Sequence, residues 1–254
     1  MAEPVYRFLE FLVSSTVAAV GPRITYYGGE NLPDSGGAVV AINHTSYIDW
    51  MPSALMAYRR KRRLRFMIKR EMQDVKVVGF LIKHSGTIPV DRRAGAGAYA
   101  VAVDRLRSGE LVAVYPEATI SRSFELKEFK TGAARMAREA DVPIIPLIVW
   151  GAHRVWTKDH RRKLLRNRVP ITVLVGSPLR ATDSVDQTDA ALREVMTELL
   201  QRVQLGYPQP KGAYWVPNRL GGSAPTLDKA RVLDEEELAE RARIRAEREA
   251  ARRR

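Results

Sequence analysis

His44 and Asp49 stand five residues apart in the stretch AINHTSYIDW, residues 41–50. A histidine whose ring is held by a carboxylate has its tautomer fixed and its imidazolium stabilised, the two properties a general base needs. On one continuous helix five residues turn through about 140°, which puts the two side chains out of reach. They meet if His44 lies in a strand-to-helix turn and Asp49 in the first helical turn, because helical side chains lean back toward the N-terminus. Pro52 supports a helix start near Asp49, since proline fits the first turn of a helix. The spacing alone also allows a helix-capping aspartate beside a loop histidine.

The residues missing from the chain narrow the chemistry further. There is no cysteine, which excludes disulfides, thiolate metal sites and a cysteine nucleophile. No Gly-x-Ser-x-Gly elbow occurs, so a base acting directly on a hydroxyl, with no covalent enzyme intermediate, suits what is present. His44, His84, His153 and His160 form no metal-ligand spacing with Asp49, and no metal is expected. Gly95-Ala96-Gly97-Ala98-Tyr99-Ala100 looks like a dinucleotide glycine loop. It follows Asp91-Arg92-Arg93 and lacks an acidic strand end about 20 residues on, so no cofactor is expected.

Positioning such a pair takes a fold with a core, and 254 residues at 45% hydrophobic can build one. Short β-branched runs alternate with helical stretches, which predicts an α/β fold: a mixed, mainly parallel sheet of about seven strands flanked by helices. The expected strands are Ile24–Tyr27, Ala38–Ile42, Leu64–Ile68, Gly86–Val90, Leu111–Tyr115, Ile144–Val149 and Ile171–Val175. Helices are expected over Asp49–Tyr58, Met72–Lys83, Ala96–Arg107, Thr131–Ala140 and Thr188–Gln204. Residues 1–22 read as an N-terminal amphipathic helix, lying in a membrane interface or docked on the protein's own core. Its clean apolar run, Phe11–Val20, is too short to span a bilayer, which takes about 20 residues. Residues 23–206 read as the α/β domain, and 207–254 as an extended arm carrying Trp215 and a charged C-terminal helix without a catalytic role.

With 42 Lys+Arg against 29 Asp+Glu the net charge is +13, which predicts an anionic partner. Two stretches carry it, Arg59–Arg70 and His153–Arg168. The first could hold anionic lipid headgroups, the phosphates of coenzyme A or the acidic face of a carrier protein, or be a solvated loop. No helix-turn-helix, zinc-finger or ribonucleoprotein signature accompanies the charge, so no nucleic acid is expected.

Four ordered blocks carry a family resemblance. They are Asn43-His44 with Asp49, Gly86-Thr87-Ile88-Pro89-Val90-Asp91-Arg92, Pro116-Glu117-Ala118-Thr119-Ile120-Ser121-Arg122, and Val142-Pro143-Ile144-Ile145-Pro146. In this the chain resembles the glycerolipid acyltransferases of the lysophosphatidate type over about residues 25–180. The resemblance implies acyl transfer from acyl-CoA or acyl carrier protein to the free hydroxyl of a lysophospholipid, 1-acylglycerol 3-phosphate above all. Other lysolipids, a glycolipid or glycerol 3-phosphate are alternative acceptors. It further implies His44 as base, Asp49 as its orienter, and substrate contacts at Lys69, Arg92, Glu117, Arg122 and Lys130. The enzyme would sit peripherally on an anionic membrane, at the cytoplasmic face, with no spanning helix. The third block departs from the pattern: Ala118 stands where the family has glycine and Ile120 where it has arginine.

Overall fold

The computed structural model describes residues 21–70, 85–90, 96–163 and 168–252, together with Phe8, Phe11, Ser15 and Val17. The helix expected over Met72–Lys83 lies outside the described residues, as does most of 1–22. Phe8, Phe11, Ser15 and Val17 of that N-terminal stretch are helical, and Phe8 and Phe11 are largely exposed.

Seven strands form one sheet: β1 (Arg23–Tyr27), β2 (Ala38–Ile42), β3 (Leu64–Lys69), β4 (Ile88–Val90), β5 (Leu111–Val114), β6 (Ile144–Trp150) and β7 (Pro170–Val175). Their order is β1-β7-β6-β2-β5-β3-β4. β6, β2, β5, β3 and β4 run parallel, whereas β7 pairs antiparallel with β6 and carries β1 in its own direction. The mixed, mainly parallel sheet expected from the alternation is therefore the sheet that forms. Five helices accompany it among the described residues: α1 (Trp50–Arg59), α2 (Ala96–Arg107), α3 (Gly132–Ala140), α4 (Val185–Leu205) and α5 (Leu227–Arg252).

A strand covered on both faces reads as an unbroken apolar run, and all five residues of β2, AVVAI, are buried. Alternate side chains build the core. Val40, Ile42, Leu111, Ala113, Ile145, Leu147, Val149 and Val173 pack on one face together with Met56 and Ala57 of α1. α4 begins at Val185, earlier than the hydrophobic period suggested. The cause is Ser184, whose hydroxyl accepts from the Gln187 N–H at 3.2 Å and stops the helix start from fraying.

The chain divides into two compact units, residues 1–120 with 128–207 and residues 121–127 with 208–254. The second unit contains α5, along which Glu240 pairs with Arg243 and Glu247 with Arg243 in the expected three- and four-residue spacing. Trp215 is buried.

Much of the Arg59–Arg70 stretch serves the fold. Arg62 donates to the carbonyls of Pro33, Gly36 and Gly109 at 2.5, 2.7 and 2.8 Å. Arg65 on β3 is buried, meets Glu110 at 2.9 Å and donates to Ser85 O at 2.8 Å. Gly86 has φ +68°, and a Cβ there would come within 2.6 Å of the Arg65 guanidinium, so this glycine of the second block makes room for an arginine. Both arginines lie at the amino ends of β3 and β5, the edge opposite the carboxyl end of β2. Arg65→Ala should lower folding stability by about 2 kcal/mol, read from the urea midpoint, because it removes the buried guanidinium's bonds to Ser85 O and to Glu110, which among the described residues keeps only Arg105 at 3.1 Å.

Candidate active site

The carboxyl end of β2 runs directly into the His44 turn, and a side chain makes the junction. Asn43 is buried; its Nδ2 donates to Val149 O at 3.0 Å and its Oδ1 accepts from Val149 N at 2.7 Å. The amide thus imitates one more residue of strand pairing against β6 after the backbone of β2 has turned away. His44 follows at once.

Asp49 is fully buried, and its Oδ2 gathers three donors. The backbone N–H groups of Thr45 and Ser46 reach it at 2.8 and 2.7 Å, and Nδ1 of His44 lies 3.3 Å away. Asp49 already has helical backbone angles (φ −56°, ψ −30°), yet its side chain caps none of the N–H groups of α1. It leans back over the turn that precedes the helix, which selects the histidine-orienting reading over the capping one. Oδ1 is buried and has no hydrogen-bond partner among the described residues. Burial pushes the Asp49 carboxyl above its ordinary value, and the His44 ring and the two N–H groups pull it down only in part.

The neighbouring strand supplies the rest of the frame. Tyr115, one residue past β5, stacks on the His44 ring with centroids 4.0 Å apart and planes 22° from parallel. Burial, and secondarily the Asp49 charge, raises the Tyr115 phenol well above its usual value, so it stays neutral. Glu117 is buried and its Oε1 accepts the backbone N–H of His44 at 2.8 Å. The sequence pointed to neither the Asn43 splice nor the Tyr115 stack, because both pair residues that are distant along the chain.

Pro116–Thr119 form a tight double turn: Ala118 N–H donates to Tyr115 O at 2.9 Å and Thr119 N–H to Glu117 O at 2.8 Å. Ala118, at the centre of the second turn, has φ +61°. That conformation is strained for any residue with a Cβ and free for glycine, the residue the family carries there.

Lys69 ends β3, two strands from β2 and on the same sheet edge as His44. Lys130 is exposed, and its N–H donates to Pro116 O at 2.8 Å, which holds it beside the Glu117 turn. Arg92 lies outside the described residues. Arg122 belongs to the second unit, where it pairs with Asp234 and, at 2.9 Å, with Glu237. Ile120 is buried, so this position contributes an apolar side chain where the resemblance expects a cation. Among the described residues no cluster of histidine and acidic side chains is arranged to hold a metal.

Residues 23–150 match the family model described as Acyltransferase. The chain is 26% identical over 185 residues to the 1-acyl-sn-glycerol-3-phosphate acyltransferase of Bacillus subtilis strain 168, spanning 71% of this chain and 86% of that one. It is 28% identical over 200 residues to the human 1-acyl-sn-glycerol-3-phosphate acyltransferase beta, spanning 76% and 70%. The fold resembles the crystal structure of the 1-acyl-sn-glycerophosphate acyltransferase PlsC from Thermotoga maritima. The TM-score is 0.67 at 18% identity, over 80% of this chain and 81% of that one.

Two stability measurements check this geometry. Ala118→Gly should stabilise the chain by about 0.5–1 kcal/mol in urea denaturation, since relief of the positive φ outweighs the greater freedom of glycine when unfolded. A carboxyl whose pKa rises on folding stabilises the fold below its unfolded value, about 4, and loses that contribution as pH climbs through the folded value. Asp49→Asn removes this loss, so its stability relative to the parent chain should increase as pH rises above about 4.

Proposed function

Because the chain belongs to the acyltransferase family, we propose that it esterifies the free hydroxyl of 1-acylglycerol 3-phosphate with a fatty acyl group taken from acyl-CoA or acyl carrier protein. The product is phosphatidic acid. The observation that carries this reading is the His44 ring held edge-on by the buried Asp49 carboxylate and face-on by Tyr115.

The acceptor hydroxyl gives its proton to Nε2 of His44 as its oxygen attacks the thioester carbonyl carbon. Nδ1–H remains on the Asp49 side, where the carboxylate stabilises the imidazolium that forms. The carbonyl electron pair moves to oxygen and returns as the C–S bond breaks. The leaving sulfur takes the proton from Nε2, which restores the neutral imidazole. No cofactor, no metal and no covalent enzyme intermediate enter the cycle. Glu117 acts on the main chain of His44 and fixes the height of the ring above the sheet edge.

The acceptor phosphate calls for charge-assisted donors. Lys69, Arg92 and Lys130 are assigned to it. Arg122 has its charge balanced by Asp234 and Glu237, and is the weakest of the four candidates. A second acceptor, another lysolipid or glycerol 3-phosphate, is favoured by one observation: the buried Ile120 supplies no cation to grip a phosphate. We place the enzyme peripherally on the cytoplasmic face of an anionic membrane. No described helix is long and apolar enough to cross one.

His44→Ala should lower kcat/KM by about 10³-fold or more while the chain still unfolds cooperatively, with about 1–3 kcal/mol lost because Asp49 keeps its two backbone donors but not the ring. Turnover at the parental rate would remove His44 as the base. Mass analysis of products from a panel of lysophospholipids, a lysoglycolipid and glycerol 3-phosphate with one acyl-CoA identifies the acceptor. A larger kcat/KM for an acceptor lacking phosphate would overturn the lysophosphatidate assignment.

A further inference from the structure

The turn that carries His44 is bonded to a second loop, residues 155–163, which no step of the reaction uses. Ser46 Oγ donates to Trp156 O at 2.5 Å, the Tyr47 N–H to the same carbonyl at 3.2 Å, and Thr157 Oγ1 to Thr45 O at 2.7 Å. The loop is closed on itself by the Lys163 N–H, which donates to Val155 O at 2.7 Å. The rings of Tyr47 and Trp156 meet with centroids 4.9 Å apart, and the Arg162 guanidinium lies 5.9 Å from the Trp156 ring centre.

The outer side of this pair of loops has an unusual composition. Tyr47 is 43% exposed and Trp50 is 41% exposed. On the second loop Arg161, Arg162 and Lys163 are exposed, Arg162 reaching the Trp156 ring that packs on Tyr47, with Lys158 half-buried and Asp159 the one acidic residue between 155 and 163. A membrane–water interface selects this mixture: aromatic rings with a polar edge settle at headgroup depth, while lysine and arginine face anionic headgroups.

We propose that this aromatic and basic platform seats the His44 edge of the sheet on an anionic lipid bilayer. The proposal deepens the lysophospholipid reading and rests on it for its purpose, since an acceptor anchored by one acyl chain would then reach the base without leaving the membrane. An acidic carrier protein would be drawn by the same cations, but it gives no account of the exposed rings of Tyr47 on the turn that holds the base and of Trp50 at the start of α1. Because the three hydrogen bonds join platform and turn directly, docking fixes the height of His44 relative to the headgroups.

The test is co-sedimentation with vesicles of phosphatidylcholine containing phosphatidylglycerol, compared with phosphatidylcholine alone. The parent chain should bind the anionic vesicles much more tightly. Arg161→Ala with Arg162→Ala should weaken that binding by about 25-fold, roughly fivefold per cation removed at the surface, and Tyr47→Ser should weaken it further. In the acyl-transfer assay the double arginine variant should keep its kcat/KM on a short-chain lysophosphatidate held below its micelle concentration. It should lose activity on a long-chain acceptor embedded in vesicles. Unchanged vesicle binding by the double variant overturns the proposal. So does loss of binding to acyl carrier protein alone, or vesicle binding that depends only on Phe8 and Phe11, read from Phe8→Ser with Phe11→Ser. If no acceptor is acylated by any form of the protein but vesicle binding falls as stated, the function reading fails and the docking surface stands.

Discussion

A carboxylate buried without full compensation organises the reaction edge of this protein. Asp49 is taken out of water, accepts three bonds on one oxygen and none among the described residues on the other. Two of those bonds come from the backbone of the turn between β2 and α1, so the same charge shapes the turn and orients the ring that the turn carries. The arrangement is costly in isolation, since burial outweighs the bonds and raises the carboxyl. The apolar sheet below deepens that cost, and the stability of its own packing offsets it.

How far the sequence discloses this depends on the range of each interaction. The His44–Asp49 geometry is local: the five-residue spacing, Pro52 and the backward lean of helical side chains allow it beside a helix-capping aspartate, and the absence of a side-chain cap on α1 decides between the two. The sheet was legible for a similar reason, because apolar runs such as AVVAI and LVAV announce strands covered on both sides. The Asn43 splice was not, since it depends on β2 lying beside β6, more than a hundred positions later. Nor could composition reveal that Arg62 and Arg65 point into carbonyls and a carboxylate, because a run of arginines reads alike whichever way each one turns. The early start of α4 was readable in principle from Ser184 and Gln187, three residues apart.

The four blocks divide by what they touch. The first holds the ring and its partner. The second contains Gly86, whose lack of a side chain admits Arg65. The fourth leads through half-buried Val142 and Pro143 into the buried amino end of β6, residues 144–146, so its role is in packing. The third combines both kinds of work: Glu117 bonds to the main chain of His44, while Ala118 and Ile120 depart from the family pattern. One departure stores strain in a turn; the other substitutes an apolar side chain where charge is usual. The first bears on stability; the second is the observation on which the alternative acceptor is proposed.

The position of β2 at the centre of the sheet also shapes the life of the chain before it is complete. β2 closes at Ile42, but its partners on the two sides begin at Leu111 and Ile144. During synthesis on the ribosome this wholly apolar segment therefore emerges long before anything exists to cover it, with both of its edges unsatisfied. Such a nascent strand is a natural client for a holding chaperone, and a natural seed for aggregation when translation outpaces that help.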